Sequence, residues 1–300
     1  MIKVANAPCS WGVLEFESKI ASPGYAQVLD EIAASGYAGT ELGDWGFMST
    51  DPDLLRDELR RRELAIAGAF VTTRLAEPRT HEASLATAVT TARLLSAVSD
   101  GPPPPIVLSD EPTADPARAR SAGRVPAGLG LTDRQWDEAA SGIDRIARAV
   151  RDETGLRTVF HHHCATYVET PEEIDALLQR TDPALVGLCL DSGHASYGGA
   201  SPVELLSRHL ARTWHVHFKD CESRIAERAR KEEWDYQTAL RHGVFCELGH
   251  GSVDFPALLR EITSAGYSGW IVVEQDVLPA MGAPLASATR NRRYLQQVGL

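Results

Sequence analysis

No apolar run in this chain approaches the ~20 residues that a membrane-crossing helix needs. The opening stretch, MIKVANAPCSW, lacks a basic segment followed by a long apolar one, so no secretory leader is expected and the chain reads as cytoplasmic. Basic charge is also short. The formal net charge is −11, which disfavours a nucleic-acid or anionic-membrane surface, since either would want a basic stripe. Five cysteines (Cys9, Cys164, Cys189, Cys221, Cys246) stand far apart with no CxxC pair, which argues against a disulfide framework or a thiolate zinc site. No Walker or dinucleotide glycine pattern occurs, and no nucleotide cofactor is implied.

What the chain does have is length and alternation. Its 300 residues, 43% hydrophobic and 24% charged, suffice for a full core and match one (β/α) barrel in size. Strand-like runs are expected at 2–8, 37–42, 64–71, 106–108, 156–160, 186–190, 213–218 and 270–273. Helical patterns lie between and after them, at 23–35, from Thr50 or Asp51, at 80–98, from Thr132 or Asp133, from Thr170, from Ser201, at 254–265 and at 285–298. The prolines of 102–105 cannot be helical. Eight strands alternating with eight helices predict an α/β fold, a (β/α)8 TIM barrel forming a single domain over 1–300. Two stretches break the rhythm. The Pro-, Ala-, Arg- and Gly-rich segment 109–130 and the polar excursion 219–245 are expected as loop insertions over the barrel mouth.

The chemistry sits at the strand ends. His161 and His163 close the fifth strand, Asp191 the sixth and Glu274 the eighth, while His215 and His217 lie on the seventh. Alternation puts His161 with His163, and His215 with His217, on shared faces. Four successive strands thus offer oxygen and imidazole donors to one quadrant of the mouth, a set suited to a divalent ion and lacking thiolate. One strand-end histidine alone is more often a packing residue; the coincidence over four strands favours a metal site. Trp11 and Glu41 are further candidates to line a sugar pocket, with structural roles equally open. Gly249-His250-Gly251-Ser252 reads either as a phosphate-binding turn or as a glycine turn with a Ser cap.

The segments NAPCSWG, GTELGDWG, ELAIAGAFV, FHHHCATYVETPEEID, LCLDSGHASYGG, HVHFKD, and GSVDF with SGWIVVEQD span nearly the whole chain. They resemble the xylose-isomerase-like TIM-barrel superfamily of sugar isomerases and epimerases, and within it the inosose (2-keto-myo-inositol) dehydratase family. LDSGH and HVHFKD carry the superfamily likeness; FHHH with TYVET and the HFKD excursion point to the dehydratases. The resemblance implies one divalent metal, Mn²⁺ or Co²⁺ first, with Zn²⁺, Fe²⁺ or Mg²⁺ as alternatives. Its ligands would be Asp191, His217, Glu274 and, where epimerases carry glutamate, His161, or His163 if the register slips by two. That exchange removes one of two opposed carboxylates and balances the formal charge of dication and ligands, favouring loss of water over epimerisation. The expected substrate is a small polyhydroxylated ketone, dehydrated through an enolate; the alternative is a keto-sugar isomerase or epimerase. Glu274 is the expected base, His161 or His163 assists hydroxyl departure, Lys219 binds a substrate oxygen and His194 orients substrate or ligands. Neither nucleic acid nor a membrane is an expected partner, and a homo-oligomer stays open.

Overall fold

The computed structural model describes residues 2–13, 23–101, 103–278 and 281–300; Pro102, expected to be non-helical, lies outside them. Eight parallel strands close a barrel: β1 (Ile2–Asn6), β2 (Gly39–Glu41), β3 (Ala65–Thr73), β4 (Ile106–Asp110), β5 (Thr158–His161), β6 (Val186–Asp191), β7 (Thr213–Phe218) and β8 (Gly269–Val273). Each strand pairs with its sequence neighbours, and β1 pairs with β8 to shut the ring. The sequence reads as apolar runs on β4 and β6, each closed by an aspartate, because both faces are covered: every residue of those two strands is buried.

The helices begin where capping chemistry places them. Asp51 accepts from the amides of Asp53 and Leu54 at the start of Pro52–Arg60. Thr132 and Thr170 form reciprocal capping boxes with Gln135 and Glu173 at the heads of Asp133–Thr154 and Pro171–Arg180. Both helices lay an apolar stripe on the barrel, including Trp136, Ile143 and Ile146 in the first and Ile174 and Leu177 in the second.

Two expectations need correction. Segment 109–130 is not wholly loop: β4 runs on to Asp110 and a short helix, Pro116–Arg120, follows with Asp115 as its cap. Excursion 219–245 is a folded cap, with helices Ser223–Lys231 and Tyr236–Arg241 closed by an antiparallel pairing of Asp220–Cys221 with Phe245–Cys246. Its polar look misleads because only one face is dry. Ala226, Ala229, Tyr236, Ala239, Leu240 and Phe245 form a second small core. Arg230 then ties the cap to the other insertion by donating to the Gly123 carbonyl, and to the short helix Ser192–Tyr197 by donating to the Tyr197 carbonyl.

Candidate metal centre and catalytic cavity

Strand register delivers the donors. His161 is level with Cys189 on β6, and Asp191 is level with His217 on β7. Glu274 follows β8 directly, its amide bonded to the Phe218 carbonyl at the end of β7. The result is a buried group of four, His161, Asp191, His217 and Glu274, whose donor atoms all lie within 4.8 Å of one another. His161 Nε2 is 3.5 Å from Asp191 Oδ2, and His217 Nδ1 is 3.2 Å from Glu274 Oε1 and 3.9 Å from Asp191 Oδ2. Register thus puts His161, not His163, in this group.

The group fits a divalent cation on its own chemistry. Both nitrogens of His161, Asp191 Oδ2 and His217 Nδ1 are buried and make no hydrogen bond within the protein. Leaving such groups unpaired costs ~1–3 kcal/mol each, more for a charge. The other atoms of the same side chains are committed elsewhere: Asp191 Oδ1 accepts the His194 amide at 2.7 Å, and His217 Nε2 bonds Glu41 at 3.0 Å. The free atoms converge, and all are oxygen or imidazole donors.

Lys219 is the second organising residue. Its ammonium lies 2.9 Å from Glu274 Oε2, 2.9 and 3.0 Å from the two oxygens of Asp276, 3.4 Å from Asp191 Oδ2 and 2.9 Å from His194 Nε2. Burial alone would discharge it. Asp191, Asp276 and Glu274 outweigh burial and hold its pKa well above the usual lysine value. Burial likewise opposes ionisation of Glu274, but His217 and Lys219 win and keep it well below the carboxylate range. The group His163, His194 and Asp276 is another cluster of metal-type donors, but Lys219 already supplies its cation.

A cavity opens on this arrangement, walled by Cys9, Phe70, His161, His163, Glu274 and Asp276, with Glu41 and Lys219 also reaching it. His163 Nδ1 is 2.5 Å from the Cys164 carbonyl, which can only accept, so this nitrogen carries the proton. Its Nε2 is 3.5 Å from the Tyr236 hydroxyl, and burial presses its pKa down to about 3. His163 is therefore a neutral ring with an accepting Nε2, and does not supply the proton expected of it for hydroxyl departure.

Other sequence readings change here. Trp11 does not wall this cavity; it is buried, and its indole N–H donates to Glu31 at 2.7 Å. Glu41 reaches the cavity but spends Oε1 on two imidazoles, His215 at 2.9 Å and His217 at 3.0 Å. Of the two roles expected for His194, orienting substrate or ligands, the contacts favour the second: it is fully buried behind Lys219 and holds Asp191 and the ammonium. The charge balance shifts as well. Asp276, Glu41 and Lys219 adjoin the ligand set, so dication and surroundings together carry a formal minus one instead of zero. The glycine turn at 249–252 has no room for phosphate: its amides at Gly249 and Gly251 donate to Asp220 Oδ2. Lys219 and Asp220 are both buried. Asp276 and Tyr236 were not singled out from sequence. Asp276 carried a signal, standing two residues past Glu274 as His163 stands past His161; Tyr236, inside the polar excursion, carried none.

Among known proteins, the family model of the xylose isomerase-like TIM barrel matches residues 29–297. An inosose dehydratase of Geobacillus kaustophilus is 35% identical over 272 residues, 91% of this chain and 86% of its own length. One of Lactiplantibacillus plantarum is 32% identical over 296 residues, 99% of this chain and 96% of the relative. Two solved structures share the fold at low identity. A probable 3-DHS dehydratase from Bacillus anthracis has TM-score 0.69 at 14% identity over 98% of both chains. An L-ribulose 3-epimerase has TM-score 0.68 at 14% identity over 99% of this chain and 94% of its own. The chain belongs to the xylose isomerase-like TIM barrel family, alongside the inosose dehydratases.

Proposed function

We propose that this protein is a cytoplasmic, metal-dependent dehydratase of 2-keto-myo-inositol or a closely related keto-sugar. The observation that carries the reading is the convergence of His161, Asp191, His217 and Glu274, the first three with buried atoms that make no hydrogen bond, with the Lys219 ammonium 2.9 Å from Glu274 in the same cavity wall. The names of the full-length relatives support the substrate class.

His161, Asp191, His217 and Glu274 would hold a divalent ion, Mn²⁺ or Co²⁺ by preference. When bound, such an ion supplies Lewis acidity that polarises a ketone and acidifies the hydrogen on the adjacent carbon. The chain's own groups complete the elimination. Glu274 takes the α-hydrogen as a proton, and the electron pair of that C–H bond becomes the new carbon–carbon double bond. Lys219 gives a proton to the β-hydroxyl, which leaves with its bonding pair as water. The resulting enol rearranges to a dione. Glu274, now a neutral acid, returns its proton across 2.9 Å to the neutral amine of Lys219, and both groups are restored. Neutralising Glu274 also removes one of the charges that hold the lysine proton, so the two transfers assist each other. His163 accepts a substrate hydroxyl at Nε2.

The test is turnover of 2-keto-myo-inositol by metal-stripped protein with and without Mn²⁺ or Co²⁺, followed by the ultraviolet absorbance of the dione. Product only with metal is expected. Isotope exchange at the α-carbon without dione would point instead to an isomerase or epimerase. Glu274→Gln with normal metal content and full turnover would overturn the base assignment.

A further inference from the structure

Glu41 reaches the site by an unusual route. The pairing of β2 with β3 slips between Thr40 and Glu41, so that Glu41 stands opposite Gly68 rather than Ala67. A local irregularity of this kind re-aims one side chain, and here it sends a carboxylate across the barrel to β7. A single oxygen, Oε1, meets His215 Nε2 at 2.9 Å and His217 Nε2 at 3.0 Å. The space it occupies is borrowed from Gly68: a Cβ there would lie 2.9 Å from the same Oε1 and 3.3 Å from Val107. One carboxylate oxygen within hydrogen-bond reach of two ring nitrogens serves both only by accepting from both.

An ionised carboxylate can only accept hydrogen bonds. Both imidazoles must then carry a proton on Nε2. For His217 this leaves Nδ1, the nitrogen that faces Glu274 Oε1 and Asp191 Oδ2, as the atom that would offer its lone pair to a cation. We infer that Glu41 is a positioning residue for the metal centre, fixing the tautomer and ring orientation of His217, with Gly68 kept small to admit it, rather than a substrate-binding group. Outer carboxylates of this kind orient the imidazole ligands of metals generally, and their loss typically weakens metal binding by about ten- to a hundred-fold.

The inference rests on the metal reading above, and the experiment separates the two. Mn²⁺ binding to metal-stripped protein is titrated for wild type, Glu41→Gln and Gly68→Ala, and the tautomer of His217 is read by ¹⁵N NMR of histidine-labelled, Zn²⁺-loaded protein. Expected are tight binding by wild type with the proton on Nε2, about ten- to a hundred-fold weaker binding by Glu41→Gln, and a mixed tautomer in that variant. Gly68→Ala keeps the charge but displaces the carboxylate; it answers the question if Glu41→Gln fails to fold, and the same weakening is expected. Wild type that binds no Mn²⁺ overturns the metal reading itself. Tight wild-type binding with both variants unchanged, or a Glu41→Gln that raises KM for the keto-inositol while keeping metal affinity and tautomer, overturns the role given to Glu41 alone.

Discussion

Lys219 stands between the donors of the metal centre and Asp276, which lies outside that set but takes the ammonium on both carboxylate oxygens. Tyr236 from the cap donates to Asp276 Oδ2 at 3.2 Å and so fixes the carboxylate from behind. If Lys219 gives the proton to the leaving hydroxyl, Asp276 must keep it from being drawn wholly onto Glu274. Asp276→Asn is expected to lower kcat by about ten- to a hundred-fold while the protein retains its metal, because orientation is lost and no ligand is. Metal analysis beside steady-state kinetics checks this, and unchanged kcat would show that Lys219 needs no such support. At this scale the sequence was readable wherever a strand fixed the direction of a side chain. His161, Asp191, His217 and Glu274 could be placed because alternation and strand ends leave one inward face. Trp11, His194 and Lys219 lie past the strand ends, where periodicity no longer says where a side chain points, and two of those three turned out to have other partners than a substrate.

The barrel strands and main helices were legible as elements, since buried runs and Ser, Thr or Asp caps mark them. The insertions were not. A cap that buries alanines and one tyrosine against a barrel top has too weak a pattern to separate from loop. One of its supports has a pH signature. Glu169 is buried and takes the Gly123 amide on Oε1 at 2.6 Å and the Ala165 amide on Oε2 at 2.7 Å, joining segment 109–130 to the turn after β5. Burial raises its pKa to about 7, against the pull of those amides and of Arg118. A carboxyl whose folded pKa is raised binds more protons folded than unfolded between the two values. Its contribution therefore favours folding at low pH and is lost as pH rises from the usual glutamate value, about 4.3, towards 7. Thermal stability of the metal-free protein is expected to fall across that window by an amount worth about 1–3 kcal/mol. Glu169→Gln, which cannot ionise, should flatten the profile. An equally steep profile in the variant would assign the dependence to other groups.

For the whole molecule, the barrel concentrates four formal anions, Glu41, Asp191, Glu274 and Asp276, around one buried ammonium, Lys219, all within a few residues of the strand ends. A fold can carry such an imbalance only if something offsets it, since uncompensated charge in a dry site is costly. His217, whose pKa Cys189, Glu274 and Glu41 hold well above the usual imidazole value against burial, relieves only part of it. A divalent ion bound by the folded state alone would add RT ln(1 + [L]/Kd) to stability, about 2.7 kcal/mol at a hundredfold excess over Kd. For a chain of this length that corresponds to a rise in Tm of roughly 5 °C. Chelation should lower the melting temperature by about that much, and Mn²⁺ or Co²⁺ should restore it in a concentration-dependent way. Asp191→Asn should abolish the metal-dependent rise. It should also make the metal-free protein more stable than metal-free wild type, because it removes one of four clustered carboxylates, whose combined charge Lys219, 3.4 Å from Asp191 Oδ2, offsets only in part. The second outcome is the sharper of the two. A ligand lost from a site with no electrostatic strain would leave the metal-free protein unchanged or weaker, so the sign of that difference reports whether the barrel mouth is built around a cation.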